Sequence, residues 1–153
     1  MHIKQVMTTN IATCRSDTNL AVVAKLMWDR DCGFVPVIDA AGMVAGVITD
    51  RDICIASATR RLLPEHITAA QAMRRPPIHT SQPEETTEKA LSTMKQFQVR
   101  RLPVITADGT LKGVVSMNDV VRASQQKGGP AAADIVSTLA AICAHQPAKV
   151  AAA

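Results

Sequence analysis

The strongest constraint on this chain is that it contains one pattern twice. Residues 36–53 read PVIDAAGMVAGVITDRDI and residues 103–120 read PVITADGTLKGVVSMNDV. At an offset of 67 residues, Pro36, Val37, Ile38, Ala40, Gly42, Gly46, Val47 and Asp52 meet their identical counterparts. Chance gives roughly one such match at typical residue frequencies. Met27 pairs with Met94 at the same offset, and Met7 pairs with Met73 after a slip of one residue. A unit of this size is marginal alone, because its surface is large for its volume. Two copies must therefore bury apolar surface against each other, which leaves clefts at the joint where ligands commonly sit.

Each copy has the same grammar. Ser16-Asp17-Thr18 offers an N-cap, after which Leu20, Val23, Ala24 and Met27 recur at helical spacing. The second copy offers Ser81-Gln82-Pro83-Glu84 for its first turn, then Thr87, Ala90, Leu91 and Met94. Two β-rich runs follow in each, 34–39 with 44–48 and 102–106 with 111–115, joined by short loops containing Gly42 and Gly109. Such pairs predict hairpins, and a last helix is expected from near Asp50 and Met117. The expectation is an α/β (α+β) fold of two tandem β-α-β-β-α repeats related by a pseudo-two-fold axis. The division predicted is repeat one over 1–60, a linker over 61–71, repeat two over 72–127 and an Ala-rich tail over 128–153. Gly128-Gly129-Pro130 breaks the last helix of the second copy. The stretch 131–145 then reads as an amphipathic helix with Ile135, Leu139 and Ile142 on one side, before a frayed end at 148–153.

Composition narrows the function. Hydrophobic residues are 47% of the 153, enough for a sizeable core, but Trp28, Phe34 and Phe97 are the only aromatic residues of the Phe, Trp and Tyr set. The core must be aliphatic, and the stacking platforms of single-strand nucleic-acid binders are missing. The net charge of +4 suits an anionic ligand and equally a solvated basic face. Cys14, Cys32, Cys54 and Cys143 form no Cys-x-x-Cys, and the first residues carry no apolar leader. No apolar run approaches the ~20 residues that span a bilayer. The expectation is a cytoplasmic protein with reduced thiols and no membrane segment. His2, His66, His79 and His145 show no metal-ligand spacing with the cysteines. Neither a P-loop nor a G-x-G-x-x-G is present, and no activated nucleophile is recognisable. No metal, no catalytic residue and no required cofactor are expected, and nucleic acid is disfavoured as a partner. Arg60-Arg61 and Arg74-Arg75 read as solvated pairs or as the mark of an acidic partner.

Two copies of Gly-apolar-apolar-[Ser/Thr]-x-x-Asp, each after a Pro-Val-Ile strand, resemble the cystathionine-β-synthase (CBS) domain of stand-alone bacterial pairs, over about residues 3–124. The resemblance implies a regulatory module, not an enzyme, that binds adenosine-containing ligands in clefts between the repeats and dimerises into a flat disc. It places Thr49 and Asp52, and Ser116 and Asp119, in the ligand motif, with the hydroxyl on phosphate or ribose and the carboxylate on the ribose hydroxyls. An ionised carboxylate can hold a cis-diol with its two acceptor oxygens, and a helix start presents free N–H groups to an anion. The same spacing is also that of a capping box, and one set of residues can fill both roles. The resemblance further points to Phe34, Val35 and Pro36, to Arg100, Arg101, Leu102 and Pro103, and to Thr13 and Thr80. Arg101 stands where relatives that bind phosphorylated adenosine place a basic residue, with a solvated Arg pair as the other reading, and Phe34 reads either as a cover for a base or as a buried strand residue. AMP, ADP or ATP is the expected ligand. S-adenosylmethionine, a nicotinamide dinucleotide, and a protein or nucleic-acid partner with empty clefts are the alternatives.

Overall fold

The computed structural model describes residues 1–144, and the end of the chain, including His145 and the expected frayed stretch 148–153, lies outside the described residues. Two copies of one mixed α/β unit emerge. In the first, strand β1 (Cys14–Arg15) leads to helix α1 (Leu20–Asp29), the hairpin β2 (Phe34–Ile38) and β3 (Val44–Thr49), and helix α2 (Asp50–Arg60). A 3-10 turn (Pro64–His66) and the short helix α3 (Ala69–Ala72) follow. The second copy repeats the order with helix α4 (Thr87–Phe97), the hairpin β4 (Arg101–Ile105) and β5 (Leu111–Ser116), and helix α5 (Met117–Ala123). A last helix, α6 (Ala132–Cys143), packs on α4 and α5.

Both hairpins turn through a glycine at positive φ, +80° at Gly42 and +85° at Gly109, where a side chain would be strained. The strands pair in equivalent registers, Phe34 opposite Thr49 and Arg101 opposite Ser116, with the same irregularity before Ile38 and Ile105. Strand β1 joins β2 in parallel, and Ser81 makes the corresponding parallel bridge to Val104.

The first helix of each copy starts later than its polar residues predict. Asn19 caps α1 by accepting from the Val22 amide at 3.0 Å, whereas the Thr18 hydroxyl accepts from the Arg15 amide. Thr86 caps α4, because Ser81 is taken up by backbone pairing with Pro103 and Ile105 and by its hydroxyl's bond to Glu85. In both places the hydroxyl that a cap would need is already bonded, to the Arg15 amide in the first copy and to the Glu85 carboxylate in the second. Helix α6 agrees with its periodicity, burying Ile135 and Thr138 against the second copy.

Two aliphatic cores result, and each takes in residues from outside its own helices and hairpin. The first gathers Leu20, Val23, Val35, Val37 and Ile48, together with Ile67 and Ala69 from the stretch after α2. The second gathers Leu91, Met94, Leu102, Val104, Val115 and Val120, together with Ile3 from the N-terminus. Backbone bonds fix these additions. Thr8 and Val114 trade two amide–carbonyl bonds at 2.9 and 3.0 Å, and Val47 and Arg74 do the same at 3.1 and 2.8 Å. Gly46 and Gly113 make room, since a Cβ there would lie 2.9 Å from the Arg74 carbonyl and 2.5 Å from that of Thr8. The halves are thus laced together at two equivalent points, and a cleft opens beside each.

Candidate functional site

The clefts are built around the starts of α2 and α5. Thr49 accepts from the Asp52 amide at 3.2 Å, while Oδ2 of Asp52 accepts from the Thr49 amide at 3.0 Å and from its hydroxyl at 2.7 Å. Ser116 and Asp119 repeat the arrangement at 3.3, 2.9 and 2.6 Å. Both are therefore capping boxes, which satisfy the first amides of their helices. The cap uses one carboxylate oxygen and leaves the other, Oδ1, as an acceptor facing elsewhere. Oδ1 of Asp52 lies 3.6 Å from Nε of Arg74. Oδ1 of Asp119 accepts from Arg122 at 2.6 Å and from the Thr8 hydroxyl at 3.5 Å.

The cleft beside Ser116 measures about 430 Å³, and Thr8, Ile11, Ala12, Phe34, Arg101 and Asp119 are among its walls. The cleft beside Thr49 measures about 530 Å³, walled among others by Arg74, Ile78, His79, Phe97, Arg100 and Pro103. Phe34 and Arg101 line both. They are equivalent in the duplication, one residue before Val35 and Leu102, and each sits across a hairpin from a capping hydroxyl. One repeat thus contributes an aromatic ring, and the other a guanidinium, at the same place near the symmetry axis. His79 and Phe97 add a stacked pair in the Thr49 cleft, with ring centroids 3.4 Å apart and planes 10° from parallel. Ile142 of α6 reaches the same wall.

The other residues singled out in the sequence fall differently. Val35 and Leu102 are fully buried in the cores, and Pro36 is buried without lining either cleft. Thr13 and Thr80 do not line the clefts; Ile11 with Ala12, and Ile78 with His79, do so instead. The chain passes the cleft one to two residues earlier than those threonines before turning into the sheet. Asp52 stands behind Thr49 rather than on the wall. The sequence motifs left out Arg122, Arg30 and Arg51, and Arg74-Arg75 read there as a solvated pair or as the mark of an acidic partner. The backbone bonds from Arg74 to Val47 bring that pair to the Thr49 cleft, and no local pattern announces such a contact. No group of three His, Cys, Asp or Glu side chains able to hold a metal occurs among the described residues, and no helix among them is long and apolar enough to cross a membrane.

Known proteins resemble this chain in sequence or in fold. Inosine-5'-monophosphate dehydrogenase of Mycobacterium leprae is 30% identical over 119 residues, 78% of this chain but 21% of that enzyme. The match is therefore to a minor part of the enzyme. The CBS domain-containing protein YhcV of Bacillus subtilis is 28% identical over 135 residues, 87% of this chain and 94% of YhcV. Among solved structures, the CBS domain pair of protein MJ0100 in complex with 5'-methylthioadenosine and S-adenosyl-L-methionine superposes with a TM-score of 0.73 at 22% identity, covering 80% of this chain and 94% of that one. CBSX2 in complex with AMP superposes with a TM-score of 0.69 at 24% identity, covering 82% and 96%. The family model of the CBS domain matches twice, over residues 3–59 and 69–126, so the chain belongs to the CBS-domain family and carries the domain as a tandem pair.

Proposed function

We propose that this chain is a regulatory module that binds an adenine nucleotide, AMP, ADP or ATP, in the clefts between its repeats. The observation that carries the reading is the placement of Arg101 and Phe34 on both clefts, each opposite a helix start capped by Thr49 or Ser116. Such a cleft offers a ring to cover a base and a guanidinium that can grip phosphate oxygens in pairs, and the Ser116 cleft adds the Asp119 oxygen not used in the cap. The adenosyl ligands of the MJ0100 pair and the AMP of CBSX2 support it by analogy. Arg101 favours a phosphate over the sulfonium of S-adenosylmethionine, which gains nothing from a cation beside it.

Regulation in this reading is a population shift: the nucleotide favours one packing of the two halves, provided its affinity for the two packings differs. A second copy of the chain completes the module. Val22, Trp28 and Val121 leave apolar side chains in solvent on α1 and α5, with Trp28 86% exposed, and such surface marks contact sites.

Calorimetric titration with AMP, ADP, ATP, S-adenosylmethionine and NADH tests the reading. One adenylate should bind saturably to the native protein. Asp52→Asn or Asp119→Asn should weaken it about tenfold, as expected for one hydrogen bond to a charged group. Light scattering of the same preparations should show a dimer. Folded protein that binds none of the adenylates, or binding unaffected by either substitution, would overturn the assignment of these clefts.

A further inference from the structure

We infer that the two clefts are not equivalent and that the Thr49 cleft is a polyphosphate site, holding the di- or triphosphate chain of a nucleotide, while the Ser116 cleft suits a less charged ligand. This rests on the adenine-nucleotide reading and assigns its charge and its place. The Thr49 cleft is lined by Arg51, Arg74, Arg75, Arg100 and Arg101 against a single aspartate, Asp50. The Ser116 cleft has three arginines, Arg30, Arg101 and Arg122, against Asp31 and Asp119.

The duplication makes the contrast one of individual positions. Arg51 of one cleft corresponds to Asn118 of the other, and both are wall residues. Arg74 corresponds to Thr8, since each trades the two backbone bonds that lace the halves together. At these equivalent places the Thr49 cleft carries a cation and its sister carries a neutral side chain.

The arginines also differ in what already occupies them. In the Ser116 cleft, Arg122 is committed to Asp119 at 2.6 Å, a short charge-assisted bond. In the Thr49 cleft, the guanidinium group of Arg51 makes no hydrogen bond or ion pair among the described residues and Arg74 is held only at 3.6 Å from Asp52, while Arg75 donates to the Ala70 carbonyl at 3.0 Å and Arg100 to the Cys143 sulfur at 3.9 Å. Crowded guanidinium groups repel one another, and an anion between them relieves that repulsion. A single phosphate monoester carries about −1.5 to −2 at neutral pH, which leaves most of the five arginines uncompensated. A di- or triphosphate spreads further charge along the wall.

The test exchanges the sister cleft's residues into the Thr49 cleft. Affinities of AMP, ADP, ATP and inorganic tripolyphosphate are measured by calorimetry on the native protein and on the double variant Arg51→Asn/Arg74→Thr. Lys112→Gln, an exposed charge away from both clefts, serves as the control for charge removed outside them, and circular dichroism verifies folding. The native protein should prefer ATP to ADP to AMP, and tripolyphosphate should compete with ATP. The double variant should lose on the order of a hundredfold for ATP, about tenfold for each charge-assisted contact, and much less for AMP; Lys112→Gln should bind as the native protein does. AMP binding as tightly as ATP, or ATP binding unchanged in the double variant, overturns the polyphosphate assignment and leaves the adenine-nucleotide reading standing. Folded native protein that binds no adenylate overturns both.

Discussion

Ile67 lies in a stretch that reads as a linker, yet its side chain is fully buried in the core of the first repeat and its carbonyl accepts from the Leu20 amide at 2.8 Å. Ile67→Ala removes three carbons from that core. At about 0.8 kcal/mol for each buried methylene, the transfer loss is about 2.5 kcal/mol. The cavity left between α1, the hairpin and α3 adds to it, bringing the expected cost to roughly 3–4 kcal/mol, within the range for such truncations. Leu63→Ala, four residues earlier and 62% exposed, should change stability by no more than about 0.5 kcal/mol. Urea unfolding followed by circular dichroism measures both, and for a chain of this size the Ile67 variant should melt about 10 °C lower. If Ile67→Ala costs no more than Leu63→Ala, the segment is a tether, and its place in the first core is wrong.

Gly113→Ala places a methyl 2.5 Å from the Thr8 carbonyl, a backbone atom with little freedom to yield. The variant should lose about 1–3 kcal/mol, and amide exchange at Thr8 should accelerate as its pairing with Val114 opens; unchanged protection at Thr8 would refute the close approach. Burial pushes the Cys14 thiol up to about 11, whereas Cys54 and Cys143 are exposed. A thiol reagent at pH 8 should therefore label Cys54 and Cys143 first and Cys14 only on unfolding. The unfolded chain releases the Cys14 proton near the ordinary 9.0 and the folded chain only near 11, so this group lowers stability as pH rises across that interval. Early labelling of Cys14, or no such loss in a comparison with Cys14→Ala, would contradict its burial.

What the sequence determined by itself was most of the local structure and the repeat. Hairpins around Gly42 and Gly109, helices beginning at Asp50 and Met117, and the apolar face of α6 were legible because turn chemistry, capping and periodicity act over a few residues. The duplication also made Thr49 with Asp52, and Ser116 with Asp119, stand out as a pair of equivalent motifs. Capping by Asn19 and Thr86 was misread because the earlier polar residues, Thr18 and Ser81, are consumed by contacts with Arg15, Pro103 and Ile105. Only the tertiary structure decided that Ile3 completes the second core and Ile67 the first. Only it brought Arg74 to Thr49, Thr8 to Asp119, and Arg101 onto both clefts. Each of these is a contact between groups far apart in sequence. Their closeness follows from how two marginal halves bury their shared apolar surface, and residue spacing along a chain carries no record of which distant backbone will fill that gap.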